Sequence, residues 1–261
     1  MERSVSELKL TTTDSAARLV FDRPRVLNAL SPTLLKDVIQ TCADLSRNDS
    51  IRVVVFEGAG SCFSAGADLP AFVSALRGPD ARAVADLGRR AANAVGELPQ
   101  ITIAGIHGHC VGGGLVLAGA CDMRLATDEA RFSIPELDAG IPLAWGGMER
   151  LVKLVGETIA ADWVLSCRPF GADEALRSGL VSRIVPAAQL ERELGALASA
   201  IGRRPLSVLR TTKRQLLAIR AGSFDAREDA DGLLASLGDP EALEVGREYV
   251  AKHIRAEESS T

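Results

Sequence analysis

"GHCVGGGLVLAGACD", residues 108–122, sets three adjacent glycines directly before an apolar run. Glycine weakens regular structure, so such a triplet marks either a turn or a close approach of the backbone to another group. Leu115 to Ala120 carries no side chain able to do acid–base or nucleophilic chemistry. Upstream, "ITIAGI" (101–106) has the β-branched composition of a buried strand, and downstream "DMRLAT" (122–127) reads as another. The stretch therefore reads as strand, glycine loop, buried helix and strand, which is an α/β pattern. Leu98 to Cys121 lacks any charge and is long enough to span a bilayer. It also holds Pro99, Gln100, His107, His109 and six glycines, so we read it as strand, loop and helix, with no membrane association.

The same alternation extends outward. "ARLVFDRP" (17–24) is a short strand stopped by Pro24. "SPTLLKDVIQTCADLSR" (31–47) is a helix, with Ser31 suited to the N-cap and Pro32 to the first turn. "IRVVVFEG" (51–58) is a buried strand and "DARAVADLGRRAANAVGEL" (80–98) an amphipathic helix. Helices are expected at 147–166, 172–178, 187–202 and 205–220, and the rest of the chain is helical and more charged. This places an α/β core at 1–202 and a helical C-terminal region at 203–261.

Composition fits that class. Apolar residues make up 47% of the 261 and aromatics only 4%, so the core must be built from Ala, Leu, Val and Ile. Such residues suit helices packed closely on a sheet. The net charge of −4, mixed in sign, argues against nucleic acid as the partner. Five cysteines without a C-x-x-C pair argue against a disulfide framework and for a reducing compartment. "MERSVSELKL" (1–10) has no apolar signal core, so the expected location is cytoplasmic. Three histidines without ligand spacing give no metal site.

Two segments share one design. "VVVFEGAGSCFSAGADLPAF" (53–72) and "ITIAGIHGHCVGGGLVLAGA" (101–120) each run strand, glycine-bearing loop, helix. Free N–H groups project from a helix start, and glycine lets a ligand oxygen approach them. Two such loops side by side would supply convergent donors, the design of an oxyanion hole. Either loop alone is as well explained by a plain turn; the pair favours a site. "GAGSCF" (58–63) misses the dinucleotide fingerprint, because Phe63 replaces the third glycine and Asp68 comes too soon. No G-K-[ST] motif is present, so a phosphate-binding P-loop is excluded.

"RPRVLNAL" (23–30), "CFSAGADL" (62–69), "HGHCVGGG" (107–114), "CDMRLAT" (121–127) and "FSIPELDAGIPLAWGGMERL" (132–151) together resemble the crotonase superfamily, the enoyl-CoA hydratase/isomerase family. The resemblance covers nearly the whole chain in the family's order. It implies a spiral of ββα units, a helical C-terminal region that supports trimers or hexamers, and an acyl-CoA thioester as substrate. No cofactor is implied beyond the coenzyme A that the substrate carries. The thioester oxygen would be held by the N–H groups of Ala67 and Gly113. Ala65, Asp68 and Leu69 would flank the pantetheine and adenine. Arg25 and the backbone of Val26 fall where the family meets the nucleotide, against the plain alternative of a solvated arginine. Lys252 would reach a neighbouring subunit's CoA phosphate, or else is a solvated lysine.

Hydratases of the family use two glutamates. The second is kept here as Glu136, but the first position is Val116. Valine cannot activate water, and it dries that side of the site. A single glutamate still suffices to move a double bond, taking a proton from one carbon and returning it to another. Glu136 beside Val116, Ile134 and Leu137 would be poorly solvated, which strengthens it as a base. Isomerisation of an enoyl-CoA is therefore the expected chemistry. The alternatives are an enoyl-CoA hydratase (a lyase of fatty-acid β-oxidation) and a non-catalytic acyl-CoA carrier. Ala144 stands where dienoyl isomerases of the family carry an aspartate, which disfavours that reaction. Asp138 reads as structural, His109 as a structural histidine with lining of the pocket as the alternative, Cys62 and Cys110 as small buried residues, and Trp145 as packing, with narrowing of the acyl pocket as the alternative.

Overall fold

"VVVFEG" and "ITIAGI" alternate their side chains between two apolar layers, and that alternation organises the molecule. The structure, a computed structural model, describes residues 2–5, 7–13 and 15–258. Its strands are β1 (Glu2–Val5), β2 (Leu8–Thr12), β3 (Ala16–Phe21), β4 (Val53–Gly58), β5 (Ile101–Ile106), β6 (His109–Val111), β7 (Met123–Thr127), β8 (Arg131–Ser133), β9 (Phe170–Gly171) and β10 (Arg183–Val185). The first six helices are α1 (Pro32–Leu45), α2 (Leu69–Ala75), α3 (Ala81–Ala85), α4 (Leu87–Gly96), α5 (Gly113–Ala120) and α6 (Gly147–Val155). They are followed by α7 (Glu157–Ser166), α8 (Ala172–Arg177), α9 (Leu190–Gly202), α10 (Leu206–Ala221), α11 (Asp229–Leu237) and α12 (Pro240–Glu258).

A seven-stranded sheet runs in the order β1-β2-β3-β4-β5-β7-β10, parallel from β3 onward. A second sheet, β6-β8-β9, is small. The chain visits the large sheet, then the small one, then a helix: β5, β6, α5, and next β7, β8, α6. This is the ββα spiral that the resemblance implied. Val53, Val55, Ile103 and Leu125 point to one face and meet Leu190, Leu194 and Ala198 of α9. Val54, Phe56, Ala104, Ile106 and Ala126 point to the other and join the main core under α1, α4 and α5. Burial on both faces is what a parallel sheet requires.

Ser31 caps α1 as expected: its Oγ accepts the N–H of Leu34 at 3.0 Å, with Pro32 in the first turn. Two expected helices are each broken in two. The 80–98 segment divides between α3 and α4 at Asp86, and 147–166 divides at Gly156, whose φ of +81 no helix allows. The 187–202 helix begins with a 3-10 turn at Ala187–Gln189 before α9. Beyond residue 203 the regular structure is helical, and α10 is tied to the core by burial of Lys213. Its Nζ donates to Asp122 Oδ2 at 2.6 Å, and both side chains are nearly solvent-free. Asp122 also accepts from the backbone and hydroxyl of Thr102 and pairs with Arg220. Among the described residues no helix is long and apolar enough to cross a membrane; Leu98 to Cys121 folds as the end of a loop, β5, β6 and α5.

Candidate active site

The two glycine loops lie against each other as a short parallel ladder. The N–H of Ser64 donates to His109 at 3.0 Å, and the N–H of Val111 donates back to Ser64 at 3.0 Å. Ser64 thus stands opposite Cys110. Three residues further along each strand come Ala67 and Gly113. On its other side Ala67 faces Leu30, which donates to Gly66 at 2.8 Å and accepts from Asp68 at 3.0 Å. In a parallel ladder that pattern turns the N–H of Ala67 away from Leu30, toward the second loop. Gly113 is the first residue of α5, so its N–H has no carbonyl one turn back in the helix. Gly66, next to Ala67, lies against the second loop: a Cβ there would fall 3.8 Å from the N of Gly113, at the positive end of α5.

Asn28 holds the first loop in shape. It is fully buried with a left-handed φ of +54, a conformation that asparagine tolerates better than most residues. Its Nδ2 donates to the carbonyls of Ala59 and Cys62, both at 2.8 Å, and its Oδ1 accepts from Arg23 N. The Ser64 hydroxyl donates to Asn28 O and accepts from Gly66 N. His107 Nε2 lies 3.1 Å from Gly60 O and links the loops at their far end. The sequence reading gave Asn28 no role, although a polar residue inside "VLNAL" signals one.

Each glycine of the triplet faces a different neighbour. A Cβ on Gly112 would lie 2.5 Å from Glu136 Oε1. One on Gly113 would lie 2.2 Å from Trp145 Cζ3, and one on Gly114 would lie 2.8 Å from Ser64 Cβ. The acid, the indole and the hydroxyl therefore press directly on the backbone. Gly112 also has φ +48, which a side chain would strain. Apart from the glycines, α5 is apolar on all sides, with Leu115, Val116, Leu117, Ala118 and Ala120 buried. It is a core helix whose N-terminus alone reaches the site.

Glu136 follows β8 and sits over Gly112. Its Oε2 is buried without a hydrogen-bond partner. Burial pushes its carboxyl above the usual carboxylate range, opposed in smaller part by its own backbone N–H. Ile134 and Val116 are buried, but Leu137, expected beside the acid, is exposed because the chain turns outward after Glu136. Val116 packs on the α6 start: a Cβ on Gly147 would lie 2.7 Å from its Cγ2. α5 itself carries no carboxylate.

The expected CoA-side residues take other positions. Both carboxylate oxygens of Asp68 are engaged within the fold: Oδ1 caps α2 at Ala71 N (3.1 Å) and Oδ2 pairs with Arg23 (2.9 Å). Ala65 is half-buried and donates to Leu27 O, and Leu69 is exposed at the start of α2. Arg25 and Val26 are exposed on a 3-10 turn at Pro24–Val26; the Val26 N–H donates to Arg23 O. Lys252 is exposed on α12. His109, Asp138 and Ala144 are exposed. Cys62 and Cys110 are buried, and burial pushes both thiols up, away from reactivity. Among the described residues no cluster of His, Cys, Asp and Glu would hold a metal ion.

Comparison with known proteins identifies the family. The profile of the enoyl-CoA hydratase/isomerase family matches residues 11–230. The chain is 31% identical over 229 residues to the mitochondrial Delta(3,5)-Delta(2,4)-dienoyl-CoA isomerase of Pongo abelii, covering 83% of this chain and 70% of that protein. It is 32% identical over 189 residues to the crotonyl-CoA hydratase of Syntrophomonas wolfei, covering 72% of each. The crystal structure of an enoyl-CoA hydratase/carnithine racemase from Magnetospirillum magneticum superposes with a TM-score of 0.89 at 28% identity, over 95% of this chain and 94% of that one.

Proposed function

The chain is an enzyme of the enoyl-CoA hydratase/isomerase family, and from that premise we propose that it shifts the double bond of an enoyl-CoA thioester, with Glu136 as its single proton shuttle. The substrate's thioester oxygen accepts from the N–H groups of Ala67 and Gly113. Glu136 removes a proton from C2 of a 3-enoyl thioester. The resulting dienolate rests its charge on that oxygen. The same carboxyl then returns the proton to C4, giving the 2-enoyl product with atoms and charge balanced. An oxyanion donor of this kind typically lowers a barrier by about 3 kcal/mol, and a positioned base contributes about 10²–10⁴-fold.

The observation that carries the reading is the pairing of Glu136 with Val116. Glu136 is a desolvated carboxylate with one free oxygen, placed against the backbone of the glycine loop. Val116, where a hydratase of this family has its other glutamate, is packed on Gly147. One acid fits a proton relay between two carbons better than the activation of water. Coenzyme A enters as part of the substrate, with Arg25 and Lys252 as exposed cations for its phosphates, and no other cofactor is required. The same reading has the chain act in the cytoplasm as a homo-oligomer, a trimer or hexamer. Leu233, Leu234, Leu237 and Val250, exposed on α11 and α12, support the self-association.

The test offers 2-enoyl-CoA and 3-enoyl-CoA of several chain lengths to the protein and to Glu136→Gln. Turnover of the 3-enoyl form that disappears in Glu136→Gln is the expected result. Hydration of the 2-enoyl form at the faster rate would overturn the assignment. Tight binding of all esters with turnover of none would make the chain a carrier.

A further inference from the structure

Trp145 has no part in the proton relay, yet the fold spends an unusual arrangement on it. Its backbone is left-handed (φ +60) and that of Gly146 after it is as well (φ +71). A bulky residue persists in that region only where its surroundings hold it. Here the holder is Arg150. Its Nη1 donates to the carbonyls of Trp145 (3.2 Å) and Gly146 (3.4 Å), and its Nη2 donates to Asn93 Oδ1 of α4 at 2.5 Å. The indole itself lies on two helix backbones. A Cβ on Gly88 of α4 would fall 1.8 Å from its Cδ2, and one on Gly113 of α5 would fall 2.2 Å from its Cζ3. Phe72 of α2 closes a third side, with ring centroids 5.6 Å apart at 42°. The ring is half-buried, and among the described residues its N–H has no acceptor.

We propose that the Trp145 indole is the end wall of the acyl side of the site and restricts the enzyme to short acyl groups. The inference rests on the thioester reading above. An oxygen bonded to the N–H of Gly113 brings the acyl carbons past the residue on which the indole lies. C2 must also face Glu136 over Gly112, so the chain beyond it runs into the ring within a few bonds. A longer chain would have to displace an indole braced by Arg150. The wall itself is apolar, formed by Trp145 and Phe72, and suits an uncharged hydrocarbon end.

The test uses saturated acyl-CoAs, whose binding needs no chemistry. Affinities for butanoyl-, octanoyl- and dodecanoyl-CoA are measured by calorimetry on the wild type, Trp145→Ala and Trp145→Gly; glycine suits the left-handed backbone if alanine does not fold. In the wild type, affinity stops rising, or falls, beyond butanoyl. In the variants each added methylene that gains space tightens binding by about fourfold, and dodecanoyl-CoA binds at least tenfold more tightly than to the wild type. Intrinsic fluorescence gives a second readout. The other tryptophan, Trp163, is fully buried against Phe170, so quenching by butanoyl-CoA reports Trp145 and is lost in both variants. Affinity that climbs to dodecanoyl in the wild type, or the same length profile in all three proteins, overturns the wall. If no acyl-CoA binds any of them, the thioester reading fails and takes this inference with it.

Discussion

Gly88→Ala should destabilise the protein, and should do so only while Trp145 is present. Gly88 lies buried in α4 with an ordinary helical backbone. Replacing glycine by alanine inside a helix normally stabilises by about 1 kcal/mol, because glycine has more conformational freedom to lose. Here the added carbon would lie 1.8, 2.1 and 2.3 Å from three indole atoms. Carbon contacts are comfortable at about 3.5–4.0 Å, so the overlap exceeds an ångström at each. The ring cannot swing aside cheaply, since Arg150 pins its backbone and Gly113 and Phe72 flank it. Overpacking of a fixed core costs about 1–3 kcal/mol, and this geometry belongs at the upper end. The net loss is then about 2 kcal/mol.

In Trp145→Ala the ring is gone and the sign reverses. Trp145→Ala alone costs less than the ~3–5 kcal/mol of a fully buried tryptophan, because the ring is half-buried. Adding Gly88→Ala to it should restore up to about 1 kcal/mol through helix propensity. The coupling between the two sites is therefore about 3 kcal/mol, well above the additivity error of independent sites. Urea unfolding of the four proteins measures it, at a single protein concentration so that assembly contributes equally. Equal effects of Gly88→Ala in both backgrounds, or stabilisation of the wild type, would refute the packing of the indole on α4.

Glu136→Gln should raise the melting temperature at neutral pH while abolishing turnover. Burial raises the folded carboxyl's pKa, so the ionised form costs stability, and that cost grows as pH climbs through the unfolded value of about 4.3 and levels off above the raised folded one. Melting curves of the two proteins should accordingly converge as pH falls below the ordinary carboxylate range, where both side chains are neutral. Asp122→Ala should cost about 3–5 kcal/mol in urea unfolding, since it strands the buried ammonium of Lys213. Asn28→Ala should cost about 3 kcal/mol, because it frees two carbonyls in the loop and leaves alanine at a left-handed φ. Hydrogen exchange should then speed selectively in residues 58–68.

What the sequence made legible was what local chemistry determines. The β-branched runs of β4 and β5 need no distant partner to declare themselves, and Ser31–Pro32 starts α1 by capping alone. The small sheet stayed hidden because its strands have two or three residues each. "HCV" is too short to carry a period, and becomes a strand only by pairing with Arg131–Ser133. The break at Gly156 was visible as a glycine, yet glycines within helical patterns are often tolerated. Only the left-handed backbone distinguishes this one. The anchoring of α10 was equally unreadable: Lys213 and Asp122 lie far apart in the chain, and nothing near either shows that they meet.

The glycine triplet shows the same division within one site. Its spacing pointed to a backbone that something approaches closely, and the neighbours proved to be three different groups. Gly112 is kept bare by Glu136, Gly113 by Trp145 and Gly114 by Ser64. Two of these lie more than twenty residues downstream, and the third lies in the other loop. On the proposed reading the triplet is where the thioester oxygen is held, while the groups around it act on the carbons. Val116 packs against the turn at Gly147. A longer side chain there would meet the turn that carries Trp145, so on the proposed reading a second glutamate at 116 and the indole wall would compete for one space. On that reading the single proton relay and the short acyl space proposed above would have a common origin, the turn Trp145–Gly146–Gly147 laid across the start of α5.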